Sequence, residues 1–290
     1  MKHVRENRIR VLERVAAVMM IVILMTGLFP AYGDVFGADR TRQMENLKHN
    51  PSAQIACSTA GMKEASADVQ DTHIMQVAQK TNGSDPLNLT ASSAIVYCEN
   101  TGQTIYEKNV GQKEYPYSIT KLMTALLVVQ KCPLDKKVTV SKDAASQGDT
   151  TIHLKKGEVV TVEELLYGAL LSSGNDAAYA LGEAACGNGN MKEFLDQMNQ
   201  TARNIGCTHT HFSNPNGISS KKNYTTASDF LKIARVSFAN DTVRKIAGTK
   251  RYHMTATNKS SGRTFINKAS LVRMAGSGIV AGKTGYWTKS

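Results

Sequence analysis

A mixed α+β domain is predicted for this chain of 290 residues by the order of its strand-like and helix-like segments. Strand-like runs at 93–98 and 104–109 are joined by a turn-forming sequence at 99–103, which predicts a β-hairpin. Several helices follow, and small and β-branched residues at 278–287 indicate a strand that returns to the sheet. This order predicts an α+β or mixed α/β domain.

The helices are predicted mainly by residues that cap their first turns. A threonine or asparagine followed three residues later by an acidic residue provides side-chain partners for backbone N–H groups that have none within the helix. The three clearest pairs are Thr161 with Glu164, Asn190 with Glu193, and Thr226 with Asp229. The first pair opens an apolar-periodic segment that reaches Leu171, and 176–186 is also helical in pattern.

The first 33 residues have the layout of a secretory signal peptide. A basic start precedes an apolar run at 15–29, and small residues stand at Ala31 and Gly33. An uncleaved membrane anchor is the alternative, although the run is shorter than the roughly 20 residues that cross a bilayer. We therefore expect an exported protein of the cell envelope. Residues 34–86, which are polar and poor in aromatics, are expected to form a linker or a loosely ordered arm before a folded domain at 87–290.

The positive charge of the chain does not indicate a nucleic-acid partner. The formal net charge is +11, but lysines and arginines are scattered and form no long cluster interleaved with aromatic residues. Attraction to an anionic membrane surface or wall polymer is the association that such a charge favours. We expect no nucleic-acid binding.

The cysteines and histidines indicate no metal centre. The five cysteines are Cys57, Cys98, Cys132, Cys186 and Cys207. None stands in a C-x-x-C pair, so neither a zinc knuckle nor a thioredoxin-like motif is indicated. One disulfide among the five is possible, and the sequence does not indicate which pair would form it. His209 and His211 could share a strand face, but no third ligand lies nearby in the sequence.

Ser118 and Lys121 form the first of three motifs that carry chemistry. They stand three residues apart at the start of an apolar segment, so one face of a helix brings hydroxyl and amine together. A serine hydroxyl needs an adjacent base to become a good nucleophile. A lysine serves as that base when burial or a neighbouring positive charge lowers its pKa. Alone, this spacing is common and is also typical of an ordinary helix start.

Ser173 and Asn175 form the second motif, in the short connection between two helical patterns. A serine there could pass a proton to a leaving amine, and the asparagine could bind an amide carbonyl. The alternative is an ordinary turn in which one of these side chains caps the next helix.

Lys283, Thr284 and Gly285 form the third motif. The ammonium and the hydroxyl could bind a carboxylate, while the glycine allows a substrate backbone to approach closely. By itself, this tripeptide is more typical of a strand-end lysine followed by a glycine turn. Its occurrence after the other two motifs, in this order, matches the signature of β-lactamases and penicillin-binding proteins.

The stretch 87–286 resembles the D-alanyl-D-alanine carboxypeptidase family of low-molecular-mass penicillin-binding proteins, the S11 peptidases. The similarity extends beyond the three motifs to the residues that flank the first two, at 115–126 and 165–178, and to a further segment at 212–218. It implies a β-lactamase/transpeptidase-like fold, in which an antiparallel sheet is flanked by helices and joined by a helical lobe. The segment at 212–218 has no catalytic role that the residues themselves indicate, and turn formation is sufficient to explain it.

The resemblance implies a reaction at the D-Ala-D-Ala end of peptidoglycan stem peptides. Ser118 would be acylated, Lys121 would take its proton, and backbone N–H groups of Ser118 and Tyr286 would hold the oxyanion. Ser173 would act as a proton donor, while Asn175, Lys283, Thr284 and Gly285 would bind the substrate. β-Lactam antibiotics would acylate Ser118, and no metal or organic cofactor is implied.

Two departures and two alternatives accompany this resemblance. Trp287 stands where the family often has threonine, and the sequence ends at Ser290, where family members continue with further strands. A catalytic domain lacking its C-terminal strands is therefore expected. A β-lactamase of the same fold is one alternative, and an inactive fragment or a non-catalytic envelope-binding protein is the other.

Overall fold

The computed structural model describes residues 21–25, 89–187, 189–218 and 220–286. The predicted linker at 34–86, Trp287 and nearly all of the predicted signal peptide lie outside these residues. The strands are β1 Ile21–Met25, β2 Ala94–Cys98, β3 Gln103–Lys108, β4 Lys137–Thr139, β5 Val159–Thr161, β6 Arg251–Met254 and β7 Arg263–Ile266. The helices are α1 Lys121–Lys131, α2 Lys142–Ala145, α3 Val162–Leu170, α4 Asn175–Ala185, α5 Met191–Asn204, α6 Ala227–Ala239, α7 Asp241–Gly248 and α8 Ser270–Arg273.

The α+β class is confirmed, but the strands form several small sheets. The predicted hairpin is the antiparallel pair β2 and β3, which runs from Ala94 opposite Lys108 to Cys98 opposite Gln103. Strand β1, which falls within the predicted signal peptide, lies parallel to β2. Strands β4 with β5, and β6 with β7, form separate antiparallel pairs.

The strand predicted at 278–287 is absent from its described part, 278–286. A strand needs a hydrogen-bonded neighbour, and this segment lies against the end of α7 instead. The Gly282 N–H donates to the Ala247 carbonyl, and Gly248 lies so close to the Val280 carbonyl that any side chain there would clash. Residues 278–286 therefore pair with no strand of the described chain.

Helix α1 lies at the centre of the core. Its side chains are buried without interruption from Lys121 to Val128, which fits a helix whose residues are apolar on nearly every face. It packs against α3, α4, α6 and α7. This position makes α1 a rigid base for the motif at its N-terminus.

The capping predictions are confirmed for all three helices. The Thr161 hydroxyl accepts the Glu164 N–H, and the Glu164 carboxylate accepts the Thr161 N–H, which completes a capping box at the start of α3. At the starts of α5 and α6, the side chains of Asn190 and Thr226 each accept the N–H three residues later. Both interactions satisfy N–H groups that a helix leaves free.

A buried ion pair fixes the β6–β7 hairpin beside the connection that precedes β5. Arg263 donates from its two terminal nitrogens to the two carboxylate oxygens of Glu158, over 2.6 and 2.8 Å. Burial raises the pKa of the Glu158 carboxyl, but hydrogen bonds from Arg263, Thr257 and the Lys155 N–H outweigh it, so the pKa is lowered. On the same hairpin, Tyr252 stacks on Tyr167 of α3 with ring centroids 3.7 Å apart.

The described cysteines are free thiols, namely Cys98, Cys132, Cys186 and Cys207; Cys57 lies outside the described residues. Burial raises the pKa of the Cys207 thiol to about 12, as expected of a small buried side chain. Across the described ranges, no three histidine, cysteine or acidic residues are grouped to hold a metal ion. In the same part of the chain, no helix has the length and apolar character needed to cross a membrane.

Candidate active site

Ser118 lies in a 3₁₀ turn, Tyr117–Thr120, that leads directly into α1. Tyr117 has a left-handed backbone, with φ of 44°, a conformation that costs energy and is concentrated at functional sites. Gly217 packs directly against this turn, and a Cβ atom there would lie 1.8 Å from the Tyr117 carbonyl oxygen. Ser118 itself is half-buried, so its hydroxyl is both held in place and reachable.

Lys121 is completely buried one turn further along, and its ammonium is fully engaged. Nζ donates to the Ser118 hydroxyl over 2.9 Å, to the Asn175 side-chain oxygen over 2.8 Å and to the Asn216 backbone carbonyl over 2.5 Å. These three acceptors match the three N–H bonds of an ammonium group. The amine is therefore aimed at the Ser118 oxygen.

Several effects lower the pKa of Lys121 well below its usual value. Burial is the largest cause, and repulsion from Lys283 and Lys268 adds to it, while Asp176 and Asp149 act in the opposite direction. A lysine with a lowered pKa has a neutral fraction near neutral pH, and a neutral amine can accept a proton. The site thus provides a hydroxyl and a base in direct contact.

The second motif crosses the gap between α3 and α4. Ser173 has a left-handed backbone, with φ of 62°, and Asn175 is the first residue of α4. Asp176 anchors this loop, because its carboxylate accepts hydrogen bonds from the backbone N–H groups of Ile152 and Leu154. With the loop anchored in this way, Asn175 contacts Lys121 and Ser173 contacts Lys283.

The third motif reaches the second through Lys283. Its Nζ donates to the Ser173 hydroxyl over 2.9 Å and to the Thr284 carbonyl over 2.7 Å. The side chain keeps some contact with solvent, but desolvation of its ammonium, with repulsion from Lys268, lowers the pKa of Lys283 to about 7. Its charge therefore changes within the physiological range.

Gly285 brings the end of the chain to the Ser118 turn. A Cβ atom at Gly285 would lie 3.2 Å from the Pro116 carbonyl oxygen and near Tyr117. Thr284 and Tyr286, on either side of it, are exposed, so their side chains are accessible to a ligand. The oxyanion role assigned to the N–H groups of Ser118 and Tyr286 stays a prediction.

All eight residues singled out from the sequence thus belong to one cluster, at the meeting point of three chain segments. Ser118, Lys121 and Asn175 are joined through the Lys121 ammonium, and Ser173 is joined to Lys283. The two lysines are near enough for Lys283 to depress the pKa of Lys121. The arrangement provides an activated hydroxyl beside a positive charge suited to a carboxylate.

Sequence reasoning missed the part played by the segment at 212–218. Its Asn216 carbonyl accepts a hydrogen bond from Lys121, and its Pro215 carbonyl accepts one from the Thr124 hydroxyl over 2.6 Å. Backbone oxygens leave no mark in a sequence, because every residue has one. The available signal was Thr124, a polar side chain inside the apolar run of α1.

A family profile described as D-alanyl-D-alanine carboxypeptidase, Peptidase_S11, matches residues 78–290. The carboxypeptidase DacF of Bacillus subtilis is 33% identical over 201 residues, which are 68% of this chain and 51% of that protein. This chain therefore spans about half of that relative. The D-alanyl-D-alanine carboxypeptidase of Streptomyces strain K15 is 35% identical over 70% of this chain and 76% of its own length.

Solved structures give the same result for the fold. The crystal structure of the Streptomyces K15 DD-transpeptidase is similar with a TM-score of 0.59 and 36% identity, over 65% of this chain and 77% of that one. A penicillin-binding protein homologue from Mycobacterium tuberculosis is similar with a TM-score of 0.64 and 27% identity, over 71% and 77%. The described chain therefore shares the fold of this group of enzymes.

Proposed function

Because the chain belongs to the D-alanyl-D-alanine carboxypeptidase family of S11 peptidases, we propose that it removes the terminal D-alanine from peptidoglycan stem peptides. The observation that carries this proposal is the 2.9 Å hydrogen bond between the buried Lys121 amine and the Ser118 hydroxyl. Through this bond, a base with a lowered pKa contacts a half-buried serine hydroxyl. Acyl-serine chemistry requires such a pair of nucleophile and base.

The reaction begins when Ser118 Oγ attacks the carbonyl carbon between the two terminal D-alanines. Neutral Lys121 accepts the hydroxyl proton, and the backbone N–H groups of Ser118 and Tyr286 stabilise the oxyanion. The C–N bond then breaks as Ser173 passes its proton to the leaving amine, and the proton that Lys121 accepted replaces it on Ser173, which leaves Lys121 neutral again. Hydrolysis of the ester on Ser118 by water, with Lys121 again as the base, releases the shortened peptide.

Substrate orientation is assigned to the other cluster members. Protonated Lys283 and the exposed Thr284 hydroxyl bind the terminal carboxylate, a favourable charge-assisted contact. Asn175 binds the amide carbonyl of the stem peptide, and Gly285 leaves room for its backbone. A β-lactam combines a reactive carbonyl and a carboxylate in one small ring system, so it enters the same cleft and acylates Ser118.

The site of action is the cell envelope. This assignment rests on the signal-peptide layout of residues 1–33 and on the peptidoglycan substrate, which lies outside the cytoplasm. The positive charge of the chain favours contact with an anionic membrane surface or wall polymer.

Labelling with a fluorescent penicillin tests the proposal directly. The full chain is expected to form a covalent adduct that survives denaturation, and Ser118→Ala is expected to form none. The parent should also release D-alanine from a peptide ending in D-Ala-D-Ala. No label on the parent, or equal labelling of Ser118→Ala, would refute the acyl-serine assignment. Rapid turnover of nitrocefin without a lasting adduct would identify a β-lactamase instead.

Acyl transfer to an amine is a second activity to measure, because similar solved structures are those of a DD-transpeptidase. The acyl group on Ser118 can pass to an amine acceptor in place of water. Adding a glycyl amine to the D-alanine release assay distinguishes the two: a transpeptidase forms the new amide product, whereas a strict carboxypeptidase forms only the hydrolysed peptide.

A further inference from the structure

Two consecutive residues, Gln147 and Gly148, each accept an amide N–H from one of the two asparagines that hold Lys121. The Asn216 side-chain nitrogen donates to Gln147 Oε1 over 2.8 Å, and the Asn175 side-chain nitrogen donates to the Gly148 carbonyl over 2.9 Å. One oxygen of each asparagine, the Asn216 backbone carbonyl and Asn175 Oδ1, accepts from Lys121. One short segment therefore supports both acceptors.

The Gln147 amide is itself oriented by neighbours. Its nitrogen donates to the Asp143 carbonyl on α2 over 3.1 Å, so its oxygen is directed at Asn216. Helix α2 is capped by Ser141, whose hydroxyl donates to Glu183 on α4 over 2.9 Å. These contacts connect Gln147, through α2 and Ser141, to α4, which is the helix that begins with Asn175.

Asn216 is held on its other side as well. It is buried, and its side-chain oxygen accepts the Ile218 N–H over 3.1 Å. The Gln147 contact is the second of two bonds that orient this side chain, and the backbone carbonyl of the same residue accepts from Lys121. A buried amide whose partner is removed must move or admit water, because leaving it unpaired is costly.

We propose that Gln147 is a positioning residue, which holds Asn216 so that its carbonyl keeps the Lys121 amine on the Ser118 hydroxyl. The proposal rests on the proposed acyl-serine function, in which Lys121 is the base. Gly148 contributes only a backbone atom and Asn175 is assigned to the substrate. Gln147 is therefore the side chain through which this support can be tested without altering a reacting group.

The expected consequence is a change in the proton affinity of Lys121. The charged groups that act on it are Lys283 and Lys268, which lower its pKa, and Asp176 and Asp149, which raise it. Burial is the largest influence. If Asn216 is released and water reaches the ammonium, the desolvation penalty falls and the pKa of Lys121 rises towards its usual value. Less neutral amine is then present at neutral pH.

The variant that tests this is Gln147→Met, which keeps the side-chain length but removes the acceptor. The rate of acylation by a fluorescent penicillin is measured against pH. Because one pKa unit corresponds to a ten-fold change in the protonation equilibrium, we expect an alkaline shift of the profile by about one unit, with acylation about ten-fold slower on its acidic limb. A purely structural loss would reduce active protein equally at every pH and leave the profile unshifted.

The matched control is Ser146→Ala. The Ser146 hydroxyl donates to the same Asp143 carbonyl over 2.9 Å, and no contact joins it to Asn216 among the described hydrogen bonds. Its pH profile is expected to match that of the parent. A shift in this control equal to that of Gln147→Met would assign the effect to α2 and overturn the role of the Gln147 contact.

A measurement that needs no turnover separates this inference from the proposed function. Nitrogen-15 NMR of the lysine side chains gives the titration of Lys121 in the parent and in Gln147→Met. A higher pKa in the variant supports the positioning role even if the parent fails to bind penicillin, which would refute only the proposed function. An unchanged pKa, with an unchanged acylation profile, would refute the inference.

Discussion

The Lys283 ammonium lies 2.9 Å from the Ser173 hydroxyl, so a hydrogen bond joins two motifs that are 110 residues apart in the chain. With the Lys121 bonds to Ser118 and Asn175, this contact brings residues from three distant segments to one cleft. Changes at Lys121, Lys283 and Gly217 test what this arrangement does, and changes at Arg263 and Glu158 test the stability of the fold around it.

Replacement of Lys121 by arginine should nearly abolish acylation. Arginine keeps the positive charge but does not lose its proton in proteins, so it cannot serve as a base. General bases typically contribute 10²–10⁴-fold to rate, so we expect acylation by penicillin to slow by about 10³-fold. Time-resolved labelling measures the rate, and circular dichroism checks the fold. Acylation within a few-fold of the parent would exclude Lys121 as the base.

The Michaelis constant for a D-Ala-D-Ala peptide should depend on the charge of Lys283. Since the pKa of Lys283 is lowered to about 7, the ammonium that binds the carboxylate is present below that pH and lost above it. A titrating group of this pKa predicts a rise in KM of about ten-fold between pH 6 and pH 8. Lys283→Arg, which stays charged, should give a flat KM over this range.

A peptide ending in an amide instead of a carboxylate is the control for that titration. The amide offers no negative charge to Lys283, so its KM should not rise between pH 6 and pH 8 as that of the acid does. Parallel curves for the acid and the amide would argue against carboxylate binding by Lys283.

Gly217→Ala should destabilise the protein and disturb the nucleophile together. Gly217 has φ of 79°, and a Cβ atom there would meet the Tyr117 carbonyl at 1.8 Å. Strain of this kind is expected to cost at least about 2 kcal/mol in the free energy of unfolding. Denaturant unfolding measures the loss. Gly111→Ala, where nothing lies within 4 Å, is the matched control and should leave stability and labelling unchanged.

Removal of Arg263 should leave a buried carboxylate without its main partner. Glu158 is completely buried beneath Arg263, and breaking such a pair from one side costs about 3–5 kcal/mol. We expect Arg263→Met to lower the unfolding free energy by about 3 kcal/mol, and a second change, Glu158→Gln, to recover part of it. The exposed pair of Lys192 and Asp196 is the comparison, and Lys192→Met should have no measurable effect.

The same ion pair gives a pH dependence with a definite sign. The folded pKa of Glu158 is lower than its usual value, so its contribution to stability is present above the unfolded pKa and lost as pH falls through the folded pKa. Acid unfolding curves of the parent and of Glu158→Gln should therefore converge as pH falls. Curves that stay equally separated down to the lowest pH would contradict this.

Much of the fold and the site could be predicted from local rules. The capping pair Thr161 and Glu164 and the hairpin of β2 and β3 depend on neighbouring residues, and the meeting of Ser118 and Lys121 depends only on helical spacing. The strand predicted at 278–287 failed in its described part, because a strand depends on a partner that the segment itself cannot reveal.

Several features that escaped prediction belong to the backbone. The Asn216 carbonyl, the left-handed conformations of Tyr117 and Ser173, and the Gly148 carbonyl are set by how distant segments meet. Residue identity does not specify them, because all residues carry the same carbonyl group and tertiary context can hold a residue in a rare conformation.

The use of a main-chain oxygen to hold the Lys121 amine has a consequence for how this protein can change. A side-chain ligand is deleted by one substitution, but the carbonyl of residue 216 persists whichever amino acid stands there. A change that takes this oxygen away from Lys121 must therefore shift the path of the 212–218 segment. Gly217 is a position at which a side chain would cause such a shift, because a Cβ atom there would clash with the Tyr117 carbonyl.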